Sequence, residues 1–209
     1  MNLTVQTFPV APLGCNCTIL CCTATKEAIV IDPGGDADRI IALLERDHCR
    51  VRWIIHTHAH FDHCLGTAEV SQFVENHPER PMTAPRALHK GDLFLYEMLG
   101  TQCRWFGLPP VDAEVSINHF LSDEETLPFG KLELQVLHTP GHTPGSCCFY
   151  LPENELLFSG DTLFAGGIGR TDLPGGDSEQ IVKSIRNRLF TLDDGTSVVP
   201  GHGDFTRIY

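Results

Sequence analysis

The chain lacks what several classes of function require. Among its 209 residues, Lys and Arg number 15 against 27 Asp and Glu, a formal net charge of -12. So few cations cannot track a phosphate backbone, and no nucleic-acid partner is expected. The negative charge favours solubility. No apolar run approaches the about 20 residues that span a bilayer. Met1 to Val10 has no basic start followed by an apolar stretch, so no secretory leader and no membrane partner are expected, and a cytoplasmic location follows as an expectation. The nine cysteines are an odd number and include no C-x-x-C pair; reduced thiols are expected. Cys15, Cys17, Cys21, Cys22, Cys147 and Cys148 fall in apparent strands, where cysteine packs as a small hydrophobe. Low-complexity segments, long linkers and evident repeats are absent, and the length suits one domain, residues 1–209, with a sizeable core. There is no H-E-x-x-H, which disfavours a helix-based metalloprotease.

What is present is a concentration of histidine. His56-Thr57-His58-Ala59-His60-Phe61-Asp62-His63 holds four imidazoles and a carboxylate, directly after the apparent strand Val51 to Ile55. Neutral imidazole is a common ligand for transition metals, and several imidazoles beside a carboxylate are costly to crowd together unless a cation holds them. Ordinary loops favour Gly, Asn, Ser and Pro instead.

Patterning around this stretch predicts strands over Leu3–Val10, Asn16–Thr23 and Glu27–Ile31. A turn at Asp32 to Asp36 follows, then a helix capped by Asp36 with Ile40, Ile41 and Leu44 on its apolar face. A second helix is expected after Asp62 and His63, which would sit at its start, running to Pro78. Residues 81–128 are the least readable; Ala87–Leu99 reads as a helix, and Gly107-Leu108-Pro109-Pro110 as a break. Leu132–Leu137 alternates as a half-buried strand. Ser146–Leu151 and Glu155–Phe158 form a plausible hairpin, Ser178–Phe190 a helix and Ser197–Pro200 a last strand. Two β-rich layers covered by helices are the natural arrangement.

Three later segments each place a metal-type residue where an apolar strand ends in a Gly/Pro turn: His142 in Thr139-Pro140-Gly141-His142, Asp161 in Ser159-Gly160-Asp161, and His202 in Pro200-Gly201-His202-Gly203. Strand ends project side chains into a shared crevice. His58 and His60, two apart in an extended segment, point to the same side, whereas the adjacent Asp62 and His63 cannot easily join that face. One pair then serves each of two metals. His142 completes the first set and His202 the second, leaving the two carboxylate oxygens of Asp161 to bridge them. Two ions about 3.5 to 4 Å apart can activate one shared water.

The spacing His58-x-His60-x-Asp62-His63, followed in order by the segments of His142, Asp161 and His202 and preceded by the strand-end Asp32, resembles the metallo-β-lactamase superfamily. Thr139 to Ser146 and Gly160 to Phe164 most resemble its glyoxalase II (hydroxyacylglutathione hydrolase) group. Gly166 to Pro174 is similar to the short members, which lack a C-terminal helical domain. The resemblance implies an α+β chain folded as a four-layer αβ/βα sandwich and the ligand roles above. It also implies two divalent ions, zinc first with iron or manganese as alternatives, and a small-molecule thioester substrate such as S-lactoylglutathione. Asp62 would orient the attacking water while binding metal. Asp32 is expected to hydrogen-bond the ligand loops. Arg170 faces either an anionic substrate group or an ion pair with Asp172. Cys64 is expected to pack, His56 and His138 to support the site, and His48, His77, His89 and His119 to lie at the surface. Competing readings are a persulfide dioxygenase with one iron on the equivalents of His58, His142 and Asp161, a lactonase or other hydrolase, and a metal-binding protein without catalysis. The Pro-Gly-His-Gly form at residues 200–203 favours the hydrolase over the dioxygenase.

Overall fold

Period-two alternation divides the first strands between two cores. The computed structural model describes residues 2–111 and 115–209; Met1 and residues 112–114, which the expected domain 1–209 includes, lie outside the described residues. β1 (Leu3–Val10), β2 (Cys15–Cys22) and β3 (Glu27–Ile31) pair antiparallel. α1 (Ala37–Arg46) then crosses to β4 (Arg50–Ile55), which lies parallel to β3. α2 (Thr67–Glu75) leads on to β5 (Arg86–His89), followed by α3 (Leu93–Glu97), α4 (Leu99–Trp105) and β6 (His119–Leu121). The sheet order is β1-β2-β3-β4-β5-β6.

On one face of this sheet Cys17, Ile19, Cys21, Val30 and Ile54 pack with Ile40 and Leu44 of α1 and Val70 and Val74 of α2. On the other, Leu20, Cys22, Ile29, Ile31 and Ile55 meet Phe129, Leu134, Val136 and Phe149. Adjacent residues of a strand point to opposite faces, so β2, covered on both sides, is buried at every position but Asn16. All nine cysteines are buried and unpaired.

The second sheet consists of β7 (Thr126–Phe129), β8 (Leu132–His138), β9 (Cys147–Leu151) and β10 (Leu156–Gly160), a small ribbon of β11 (Leu163–Phe164) and β12 (Gly167–Ile168) standing apart from it. After α5 (Ser178–Ser184) come β13 (Ser197–Pro200) and β14 (Thr206–Arg207), giving the order β14-β13-β10-β9-β8-β7. Leu137, Cys148, Tyr150, Leu157 and Val198 on its outer face pack under Ile181, Ile185 and Leu189. The layers are therefore helices, sheet, sheet, helix: an α+β chain in an αβ/βα sandwich. No described helix is long and apolar enough to cross a membrane.

Four local expectations are corrected. Asp36 precedes α1 but makes no capping bond; its φ is 47° and its carboxylate accepts from Ala11 N at 2.9 Å, tying the β1–β2 turn down instead. Asp62 and His63 lie in a separate 3-10 turn, Phe61–His63, and α2 starts only at Thr67. Ala87–His89 is strand rather than helix, because this apolar segment is buried as the neighbour of β4 and β6; periodicity cannot separate such a short buried run from a helix. The helix from Ser178 passes into a π turn at Ile185–Leu189, which shifts the face it presents.

Candidate metal centre

Every expected site residue stands just past the end of a strand, and the strands of the two sheets end on one common edge. Asp32 follows β3, His58 to His63 follow β4, His142 follows β8, Asp161 follows β10 and His202 follows β13. Between β10 and β13 the register shifts between Phe158 and Gly160, a bulge that re-aims the chain as it reaches Asp161. Backbone bonds fasten the edges together: Cys147 N donates to Thr57 O at 2.8 Å, Gly201 N to Gly160 O at 2.7 Å, and Asn16 N to Gly201 O at 2.7 Å. A side chain on Gly201 would collide with the Asp161 carboxylate, and one on Gly34 with the backbone carbonyl of Asp62. Only glycine permits those approaches.

The structure gathers all seven expected ligands. His58, His60 and His142 form one group and Asp62, His63 and His202 another, with ligand atoms within 4.8 Å of one another in each; His58, His63 and Asp161 form a third that joins them. Asp161 lies between: Oδ2 is 3.5 Å from His142 Nε2, and Oδ1 is 3.6 Å from His63 Nε2 and 3.8 Å from His202 Nε2. Asp62 Oδ2 is 3.1 Å from His202 Nε2.

The protons on these rings show that the donor set fits cations. His142 Nδ1 lies 2.8 Å from the carbonyl of Arg170, which can only accept, so this nitrogen carries the proton and Nε2 is a lone pair. Thr57 donates its hydroxyl proton to Asp32 at 2.7 Å, so its oxygen accepts from His58 Nδ1 at 3.0 Å, and His58 Nε2 is a lone pair too. These two lone pairs face each other at 3.2 Å, and His60 Nδ1 lies 3.0 and 2.9 Å from them. One proton on His60 could satisfy only one of the two. Asp161 Oδ1 is likewise buried with no hydrogen-bond partner among the described residues. Lone pairs and an orphaned carboxylate oxygen converging on shared points are what a metal relieves.

The local electrostatics agree. Burial, reinforced by the neighbouring imidazoles, holds His58 well below the usual histidine range and His60 at about 3, so both stay neutral. Burial would raise Asp62, but His63 and His202 outweigh it and hold the carboxyl at about 2. Burial also opposes charge on His63, yet its neighbours, Cys15 first and then the carboxylates Asp62, Asp32 and Asp161, push it well above its ordinary value. That second group is a place where positive charge is favoured. The Cys15 thiol lies 3.3 Å from His63 Nδ1, but burial pushes it up to about 12, so it stays neutral.

Among the other named residues, Asp32 bonds Thr57 N, Thr57 Oγ1 and His63 Nδ1 at 2.7, 2.7 and 2.9 Å. It does so from a left-handed backbone, φ 49°, that a non-glycine residue rarely adopts. The Arg170 guanidinium is exposed and bonds both oxygens of Asp172 at 2.7 and 2.8 Å; its carbonyl is what orients His142. Cys64 is buried among Ala59, Phe61, Leu88 and Leu95. His56 is enclosed between Ala87 O and Thr67 Oγ1, at 3.0 and 2.8 Å. Of the four histidines expected at the surface only His48 is exposed; His119 is half-buried against Trp53 and Glu125, and the other two are covered as well. His77 is 7% exposed and held by Glu45 at 2.5 Å, and His89 is half-buried, stacked on His138 with ring centroids 4.0 Å apart. Each is covered by a partner distant in sequence, which local polarity cannot reveal.

Sequence reading missed Asp92. It is fully buried; Oδ1 accepts from Gly145 N at 2.5 Å, and Oδ2 from Ala59 N at 3.0 Å and Thr143 Oγ1 at 2.7 Å. It thereby ties the loop of His58 and His60 to that of His142. Burial raises its pKa, against those three hydrogen bonds. No motif marks it, and it lies in the least readable segment.

A cavity of about 120 Å3 opens over this cluster, lined by Leu13, Phe61, Leu95, Gln102, Trp105 and Phe106 along with His60, Asp62, His142, Asp161 and His202. The larger concavity, about 620 Å3, lies at the β7–β9 end of the second sheet and holds none of them. Histidine and carboxylate groups that could hold a metal ion, under an open pocket, suit polarisation of a carbonyl and activation of water.

The metallo-beta-lactamase superfamily pattern matches residues 10–202. The chain is 35% identical over 206 residues to the hydroxyacylglutathione hydrolase GloC of Haemophilus influenzae, covering 99% of this chain and 93% of that protein. Among solved structures it is similar to the BLEG-1 B3 metallo-beta-lactamase, with a TM-score of 0.87, 36% identity and coverage of 98% and 94% of the two chains. It is also similar to a protein crystallised in a di-iron-bound form, with a TM-score of 0.83, 34% identity and coverage of 97% and 94%. Sequence, fold and the shared edge of strand ends agree: the chain belongs to the metallo-beta-lactamase superfamily.

Proposed function

We propose that residues 1–209 form one catalytic domain, a dinuclear metallohydrolase whose substrates are acyl thioesters, the class that includes S-lactoylglutathione. The observation that carries this reading is Asp161, whose two oxygens face the two ligand groups while one of them has no other partner. His58, His60 and His142 would hold one ion, Asp62, His63 and His202 the other, and Asp161 would bridge them. Zinc suits three-nitrogen and nitrogen–carboxylate sets; the di-iron relative makes iron the alternative. Such ions, when bound, polarise a carbonyl and bring the pKa of water to about 7.

The chain's own residues supply the remainder. Asp62, held anionic, accepts a hydrogen bond from the attacking water and orients it. Asp32 and the Arg170 carbonyl fix the rings of His63 and His142. Leu95, Trp105 and Phe106 exclude bulk water from one side of the pocket. The water oxygen bonds to the acyl carbon, the carbon–sulfur bond breaks, and sulfur leaves with the electron pair and is protonated, giving an acid and a thiol. No serine or cysteine nucleophile is needed. The relationship to a named hydroxyacylglutathione hydrolase supports the thioester as substrate.

Elemental analysis and a thioester hydrolysis assay on one purified sample test the reading. Two ions per chain with turnover are expected. One iron per chain, with oxygen uptake on glutathione persulfide and no thioester turnover, would favour the dioxygenase instead.

A further inference from the structure

The mouth of the pocket has a composition that the metal chemistry does not require. Leu13, Trp105 and Phe106 are 48%, 49% and 44% exposed, yet all three line one cavity, together with Leu173 and Pro174. Single exposed apolar side chains need no explanation, whereas a cluster around a pocket marks a binding surface. The cluster is built in: the Phe106 ring packs 5.0 Å from that of Phe61, a buried residue between His60 and Asp62. Leu13 reaches the rim from the β1–β2 turn, and Trp105 ends α4.

Polar capacity around this mouth is already used. Gln102 accepts from Phe61 N at 3.2 Å and gives both amide protons to backbone, to Ala59 O at 3.0 Å and Leu95 O at 2.8 Å. Arg170 is the one arginine or lysine among the described lining residues, and both its outward bonds go to Asp172. An incoming carboxylate meets a neutral pair there, on a chain of net charge -12. A glutathione arm carries two carboxylates and one ammonium, and this rim offers no surplus cation to meet them.

We propose that this site, read as the thioester hydrolase above, selects its substrate by an apolar arm. An aromatic or branched aliphatic group would lie across Leu13, Trp105, Phe106, Leu173 and Pro174, with the carbonyl over the ligand set. Recognition then comes from apolar area removed from water and from ring stacking.

The test uses the metal-loaded full chain and two thioesters of lactic acid. One carries glutathione and the other benzyl mercaptan, both alkyl thiols, so the reacting bond is alike and only the arm differs. A kcat/KM at least tenfold higher for the benzyl thioester is expected. Trp105→Ala and Phe106→Ala, each checked for unchanged metal content, should collapse that preference mainly through KM. Asp172→Ala, which releases Arg170, should narrow it from the other side by improving the glutathione thioester severalfold. A preference for the glutathione thioester, or a benzyl preference that survives both aromatic replacements, overturns the apolar arm and leaves the hydrolase reading intact. Turnover of neither compound by protein holding two ions overturns that reading and the inference with it. Light scattering of the same samples reads the remaining occupant, a second copy of the chain: a dimer dissociated by Trp105→Ala with substrate preference unaltered also overturns the proposal.

Discussion

The two halves of the centre are built differently. His58, His60 and His142 are three buried imidazoles, 1%, 8% and 2% exposed, and their loops are tied together by the buried carboxylate of Asp92. Asp62, His63 and His202 include a carboxylate, and the His202 side chain is 28% exposed, following the end of β13 in a short Gly-flanked turn. The first half is held by fixed protein dipoles and contains no carboxylate of its own. The second gains its attraction for a cation from charge, with Asp62 and Asp161 near His63 and Asp32 behind it. A buried all-imidazole set and a more exposed set that includes a carboxylate, sharing one aspartate, should differ in how easily each is emptied.

The largest effect should come from the shared residue. Asp161→Ala removes an oxygen from each half, and metal content should fall below one ion per chain with hydrolysis reduced by more than about 100-fold, a cost above that of losing an orienting partner. Two ions retained at full occupancy would break the comparison at its root. His202→Ala should next separate the halves: plasma emission analysis is expected to find one ion per chain, whereas His58→Ala, which leaves only the more exposed half intact, should lose both. The reverse pattern would invert the assignment of the two halves.

Replacement of the carboxylates behind the ligands sharpens the contrast further. Asp92→Asn keeps shape but replaces an acceptor with a donor facing Ala59 N or Gly145 N, so it should weaken the first ion about 10- to 100-fold in competition with a chelator. Asp32→Asn should weaken the second by a similar factor, because His63 loses its anionic partner. If asparagine at position 92 binds metal like the parent, Asp92 only fills space.

The smallest effect concerns His89, outside both halves. Burial and the adjacent His138 hold its pKa at about 4, below the roughly 6.5 of an unfolded histidine. As pH falls through that interval the unfolded chain takes up the proton first, so the folded state loses stability, and it regains it as pH rises above 6.5. His89→Gln should therefore flatten the decline in Tm between about pH 6.5 and 4 relative to the parent; parallel curves would show that the stacked pair contributes nothing.

Much of this was legible because local chemistry spoke clearly. His58 to His63 could be divided into two pairs from the geometry of an extended segment, and Gly141, Gly160 and Gly201 marked the turns that bring His142, Asp161 and His202 to the same edge. The strands were readable to within a residue or two where burial alternates, as in β8, or where short apolar runs meet turns, as in β3. Failures fall where partners are remote. Ala87–His89 looks helical until β4 and β6 are seen beside it, Asp36 looks like a cap until Ala11 takes its carboxylate, and His77 looks solvated until Glu45 closes over it.

By itself the sequence determined the layered class of the fold and singled out the histidines and aspartates that the structure brings together at one edge, because each rests on residue type and spacing within a strand-turn unit. Only the tertiary structure decided how those residues are held and what lies above them. Asp92 joins Ala59, 33 residues before it, to Thr143, 51 residues after it, the ring protons of His58 and His142 are fixed by Thr57 and Arg170, and Leu13, Trp105 and Leu173 meet at one mouth from three separate segments. Hydrogen bonds and apolar contacts between distant segments carry no periodicity, so they come into being only when the two sheets close on each other.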